Sequence, residues 1–104
     1  MRVTFVDHGW DDYVHWQVAD RKMLKKINQL IDDICRDDPF TGIGKPEPLR
    51  HHLAGAWSRR INDEHRLVYQ IIDGDLVVLS ARYHYEAADA ALRRVEDAIR
   101  TGRA

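Results

Sequence analysis

The sequence predicts an α+β fold: two N-terminal helices packed on one face of a twisted, mainly antiparallel β-sheet, with an extra helix at the C-terminus. Three observations predict it. Met23, Leu24, Ile27, Leu30, Ile31 and Ile34 recur at spacings of three and four, the period of an amphipathic helix. Residues 56 to 61, 66 to 72 and 76 to 85 read as strands, separated by the turn-forming runs Asn62-Asp63-Glu64 and Asp73-Gly74-Asp75. After one short strand, the helices precede all the remaining strands, the order of segregated layers and not of alternating βαβ units.

Taken in order, Val3 and Phe5 alternate with polar residues as a short first strand. Asp7 stands three residues before Trp10 and is placed to cap a helix whose Trp10, Tyr13, Val14 and Gln17 share a face. Asp20 offers a second cap, for the helix through Ile34. Lys22, Lys25, Lys26, Asp32 and Asp33 turn outward there, and the lysines read as a solvated face before they read as an RNA contact. Pro39 closes this helix, and Gly42 and Gly44 mark a loop.

In the strands, Leu67, Tyr69, Ile71, Val77, Leu79, Ala81 and Tyr83 form one apolar set, expected against the helices. Arg66, Gln70, Ser80, Arg82 and His84 form the other, expected on an open polar face. For Arg66 and His84 to share that face, the loop at 73 to 75 must hold three residues, since a two-residue Asp-Gly turn reverses the parity. A three-residue loop at 62 to 64 likewise puts Arg60 beside Arg66. Beyond Tyr85, Ala88, Ala91, Leu92, Val95 and Ile99 line one side of the C-terminal helix.

A chain of 104 residues, 44% hydrophobic and 32% charged, has the composition of one small folded domain. No apolar run is long enough for a membrane span, and the N-terminus lacks the pattern of a signal peptide. The single Cys35 has no internal disulfide partner, which fits a cytoplasmic setting, and reads as a half-buried helix cysteine. A formal net charge of −1 is not the footprint of a protein that holds nucleic acid by charge alone. The balance is uneven: residues 45 to 85 carry six basic and five acidic groups, against six and eight in residues 1 to 44.

That stretch also holds the candidate chemistry. RNA is cut without metal when its 2′-hydroxyl loses a proton, the phosphoryl charge is stabilised and the 5′-oxygen receives a proton. Glu47, framed by Pro46 and Pro48 in an extended backbone, is the candidate base. His84 is the candidate acid, because an imidazole changes charge near neutral pH. Arg66 and Arg60 are candidates for a phosphate clamp. Each also has a plainer reading, the Pro-Glu-Pro as a linker and the histidine as a surface residue. The six histidines make no metal motif: His51 and His52 are adjacent, and no His-x-x-x-His or Cys-His pair falls on a helix. Neither a metal nor another cofactor is expected.

Six segments resemble one family. They are Gly-Trp-Asp-Asp-Tyr at 9 to 13, Lys-Lys-Ile-Asn at 25 to 28 and Pro-Phe-Thr-Gly-Ile-Gly-Lys-Pro-Glu-Pro-Leu at 39 to 49. The others are Trp-Ser-Arg-Arg-Ile at 57 to 61, Glu-His-Arg-Leu-Val-Tyr at 64 to 69 and Arg-Tyr-His-Tyr at 82 to 85. Over residues 1 to 85 the chain is similar to the Txe/YoeB branch of the RelE-like toxins. The resemblance implies a toxin of a type II toxin–antitoxin pair with a microbial-ribonuclease-like fold. It implies a ribosome-dependent endoribonuclease that cuts messenger RNA at the A site, leaving a 2′,3′-cyclic phosphate and a 5′-hydroxyl. Glu47 then matches the general base, His84 the general acid and Arg66 the phosphate-stabilising arginine. Lys45, Arg50, Arg60 and Tyr85 match positions that line the RNA site. The implied partners are a YefM-like antitoxin, the ribosome with its message, and a second toxin chain.

Such toxins usually end near the position of Tyr85, so the chain divides into a toxin domain, residues 1 to 85, and a helical extension, 86 to 104. Two other readings stay open at this level: a non-catalytic binding module on the same fold, and a ribonuclease that needs no ribosome.

Overall fold

The computed structural model describes residues 1–83. The elements are β1 (Val3–Phe5), α1 (Asp7–Ala19), α2 (Arg21–Arg36), β2 (Glu47–Pro48), a 3-10 turn (His51–Leu53), β3 (Trp57–Arg60), β4 (Arg66–Ile72) and β5 (Asp75–Ser80). The five strands form one sheet in the order β1-β5-β4-β3-β2. Only β1 runs parallel to its neighbour; the other three pairings are antiparallel. The two helices on a mainly antiparallel sheet match the expected fold class, while the C-terminal helix expected over 86 to 104 lies outside the described residues. Among the described residues, no helix is long and apolar enough to cross a membrane.

Helix α2 is the anchor of the core. Met23, Ile27, Leu30 and Ile34 are buried on one stripe, each contributing about 1.5–3 kcal/mol by removal from water. Asp20 caps it as expected, its carboxylate accepting from Lys22 N (2.9 Å) and Met23 N (3.3 Å). Asp7 does not cap α1. It is the first helical residue, and Val6, which has no capping side chain, stands at the cap position. The packed face of α1 is also rotated from the expected one: Trp10 and Val14 are exposed, while Asp12 and Trp16 are buried. Gly9 explains the rotation. A Cβ there would lie 2.3 Å from the Val78 carbonyl oxygen, so the glycine lets α1 sit directly on β5.

The helix face of the sheet carries Leu67, Tyr69, Leu76, Val78 and Ala81 against Trp16, Ile27, Leu30 and Ile34. Val77 and Leu79 were expected there and are not. They lie on the opposite face, where Leu79 packs with Leu53, Ala56 and Val68 and Val77 borders the group. That face is therefore not an open polar surface: the 3-10 turn and its flanks cover part of it. Two departures from the expected hairpin produce this. Ile72 pairs directly with Asp75, so Asp73 and Gly74 alone make the turn, both left-handed (φ 51° and 80°), as a primed two-residue turn requires. A bulge then intervenes: Tyr69 faces Val78, but Val68 faces Ser80, leaving Leu79 as the extra residue. The short turn reverses parity and the bulge restores it, which is why Ala81 returns to the helix face. Strand β5 ends at Ser80, not at residue 85.

Candidate active site

The site begins with a loop that has little regular structure of its own. Residues 37 to 46 leave α2 and must deliver Glu47 to the sheet edge. Arg59, wholly buried on the helix face of β3, ties that loop down. Its Nη1 donates to Asp33 Oδ2 (2.6 Å) and the Ile43 carbonyl (3.1 Å). Its Nη2 donates to the carbonyls of Pro39 (3.0 Å) and Thr41 (2.7 Å), and its Nε donates to the Tyr69 hydroxyl (3.1 Å). Tyr69 in turn donates to the Pro39 carbonyl at 2.6 Å. All five guanidinium donors are used, so a buried cation organises a loop of carbonyls. The hydrogen bond from Arg59 is the main cause that holds the Asp33 carboxyl below the usual carboxylate value. The turned-outward Asp33 of the sequence reading is thus a half-buried ion-pair partner.

The loop then closes on the sheet. Arg60 N donates to the Gly44 carbonyl at 2.6 Å. Gly44 has φ 81°, and a Cβ there would lie 2.8 Å from Leu30 Cδ2, so this close passage over the core needs glycine. Glu47 pairs with Ser58, which faces Val68 across the next ladder. Arg60 pairs with Arg66, and Ile61 N donates to the His65 carbonyl at 3.0 Å, enclosing the expected three-residue loop at 62 to 64. Ladder parity therefore puts Glu47, Ser58, Arg60 and Arg66 on the face away from the helices.

There Arg66 Nη1 lies 3.1 Å from Glu47 Oε1 and donates to Ser58 Oγ at 3.2 Å. The guanidinium is largely enclosed, with 17% of the Arg66 side chain exposed, whereas 48% of Glu47 faces solvent. The pair joins a fixed cation to a reachable carboxylate. Glu47 also lines a concavity of about 310 Å³ with Pro48, Leu49, Arg50, His51 and Leu53.

Of the residues singled out in the sequence, Glu47, Arg60 and Arg66 converge on one face, and Arg50 opens into the concavity that Glu47 shares. Lys45 is exposed, two residues before Glu47, with φ 52°. His84 and Tyr85 lie outside the described residues. Sequence reasoning missed two contributors. Ser58 had no triad context, yet it is the hydroxyl between the two strands that carry Glu47 and Arg66. Arg59 had a usable signal: if Arg60 faces the cleft, strand alternation sends Arg59 into the helix layer. Among the described residues, no group of three or more His, Cys, Asp or Glu is placed to hold a metal ion.

Residues 5–85 match the model of the YoeB-like toxins of bacterial type II toxin–antitoxin systems. Toxin YoeB of Streptomyces coelicolor is 64% identical over 85 residues, covering 82% of this chain and all of the relative. Among solved structures, a YoeB/ParE toxin from Agrobacterium tumefaciens superposes with a TM-score of 0.79 at 47% identity, covering 82% of this chain and 100% of that one. A YoeB–YefM complex from Staphylococcus aureus superposes with a TM-score of 0.76 at 46% identity, covering 82% of this chain and 98% of that one.

Proposed function

This chain belongs to the YoeB-like toxins of bacterial type II toxin–antitoxin systems, and we propose that it is an endoribonuclease that cuts messenger RNA in the ribosomal A site by acid–base catalysis. The observation that carries the reading is the Glu47–Arg66 pair, 3.1 Å apart on the face away from the helices. Glu47 takes the proton of the 2′-hydroxyl. Arg66, released from the carboxylate as that proton arrives, turns its charge to the phosphoryl oxygens, where charge develops in the transition state. His84 gives a proton to the departing 5′-oxygen. The bond formed is 2′-oxygen to phosphorus and the bond broken is phosphorus to 5′-oxygen, so the products are a 2′,3′-cyclic phosphate and a 5′-hydroxyl. Lys45, Arg50, Arg60 and Tyr85 hold the strand around the scissile phosphate.

The ribosome enters through electrostatics. A chain of net charge −1 gains little from counterion release, so presentation of the message by the ribosome replaces tight binding. The partner that silences the toxin is a YefM-like antitoxin, named as the companion of the related staphylococcal toxin. Its acidic and apolar residues lie along Lys45, Arg50, Arg60 and Arg66, since a disordered acidic segment supplies anions as it folds. A second toxin chain completes the set of partners, as in the structure of the staphylococcal YoeB dimer.

The test is translation of a defined message with purified ribosomes, with cut sites mapped by primer extension. Wild-type protein cuts at the A site only when ribosomes are present, and Glu47→Gln does not. Equal cutting of naked RNA makes the protein a free-standing ribonuclease. Equal inhibition of translation by Glu47→Gln makes it a non-catalytic binder.

A further inference from the structure

Strand β5 stops at Ser80, yet the next three residues are held as firmly as a strand. Ala81 N donates to Asp12 Oδ2 at 2.8 Å, and Trp16 Nε1 donates to the Ala81 carbonyl at 2.9 Å. Tyr83 N donates to His65 Nδ1 at 2.7 Å, and Arg66 N donates to the Tyr83 carbonyl at 3.0 Å. Three of these four partners are side chains, and Asp12, Trp16 and His65 are all buried. Three rings touch in series: Trp16 meets His65 edge-on at 4.9 Å, and His65 meets Tyr83 at a tilt at 5.3 Å.

The arrangement is costly. Burial raises the Asp12 carboxyl above its usual value, and the Ala81 N–H only partly offsets this. Tyr83 has φ 57°, a left-handed conformation that an aromatic residue adopts only when its surroundings impose it. The restraint falls on the residue one peptide bond before His84.

Resting on the acid–base reading above, we propose that His65 is a positioning residue for His84. With Asp12 and Trp16, it clamps residues 81 to 83, the peptide that leads directly into the acid. The imidazole acts through Nδ1 as an acceptor, which places its proton on Nε2. The reciprocal bond from Arg66 N means that one strand start carries both the phosphate-binding arginine and the tie to the acid-bearing segment. His65 is buried between these rings and does not itself meet RNA.

The test compares His65→Leu, which removes the acceptor, with His65→Asn, whose Oδ1 can replace Nδ1. Both are assayed as full-length protein on programmed ribosomes, below their melting temperatures. Two messages are used: one natural, and one with sulfur replacing the 5′-bridging oxygen at the scissile bond. A thiolate leaves without protonation, so loss of a correctly placed acid is suppressed on that substrate. The expected result for His65→Leu is a kcat on the natural message about 10- to 100-fold lower, within the range that general acid catalysis supplies. KM for ribosomes stays unchanged, and the kcat loss disappears on the sulfur substrate. His65→Asn keeps most of the activity on both. Trp16→Phe, which deletes one bond to Ala81, shows the same pattern with a loss of about tenfold or less, and carries the comparison if His65→Leu does not fold. Equal losses on the two substrates, or a folded His65→Leu with full kcat, overturn the proposal. The His84→Gln control keeps the two levels apart. If sulfur fails to rescue it, the acid assignment falls; if sulfur rescues His84→Gln but not His65→Leu, only the positioning role falls.

Discussion

Arg59 and Arg66 stand on adjacent antiparallel strands, on opposite faces of the same sheet. Arg59 is wholly buried and donates five hydrogen bonds, to a carboxylate, a hydroxyl and three carbonyls of one loop. Arg66 pairs with Glu47, whose carboxylate is about half exposed. The difference lies in what surrounds the cation. A guanidinium whose every donor is used by its own chain can only hold structure. One paired to a reachable carboxylate can exchange that partner for a phosphate. The helix face thus builds the loop, and the cleft face uses what the loop delivers.

The comparison makes separable claims. The largest expected effect is on the cleft face: Glu47→Gln lowers cleavage of ribosome-bound message by about 10²–10⁴-fold, the usual contribution of a positioned base. Its melting temperature changes little, because the side chain is half exposed. Single-turnover primer extension and a thermal melt check both halves. On the helix face, Arg59→Leu lowers stability by about 3–5 kcal/mol, the cost of breaking a buried pair. Denaturant unfolding reads this directly. A stable, active Arg59→Leu protein would erase the distinction between the faces.

A smaller effect tests the Arg59 partner through pH. Asp33 has its carboxyl lowered, chiefly by the Arg59 hydrogen bond, so in acid the unfolded chain takes up the proton first. The stabilisation is therefore present above about pH 4 and is lost as pH falls through the folded value. Asp33→Asn should be less stable than wild type at pH 7, by about 1–3 kcal/mol. The two curves should converge in acid, and parallel curves would show that the pair contributes nothing. The smallest effect lies far from both faces. Asp20→Ala removes the α2 cap and should cost about 1 kcal/mol without altering cleavage.

How much of this the sequence carried depended on whether a segment is buried on one side or two. Helix α2 was legible because only one stripe is apolar: Met23, Ile27, Leu30 and Ile34 are the buried residues. Strand β5 was not, because Leu76, Val77, Val78 and Leu79 are apolar in succession and pack in two clusters on two faces. A continuous apolar run gives no parity, so neither the two-residue turn nor the bulge could be read from it. The extended backbone at Glu47 was legible from its two prolines, but the pairing with Ser58 was not, since it depends on ladder register alone. Asp33 was misread because a charged residue 26 positions from its partner is assigned to solvent unless the fold brings the two together.

The central claim is that the cleft face performs metal-free 2′-hydroxyl attack. Analysis of the ends of a message cut on purified ribosomes tests it most directly. The expected ends from wild-type protein are a 2′,3′-cyclic phosphate and a 5′-hydroxyl, formed equally with chelator present under conditions that keep ribosomes intact, and absent with Glu47→Gln. A 3′-hydroxyl with a 5′-phosphate, or the same ends at the same rate from Glu47→Gln, would contradict it.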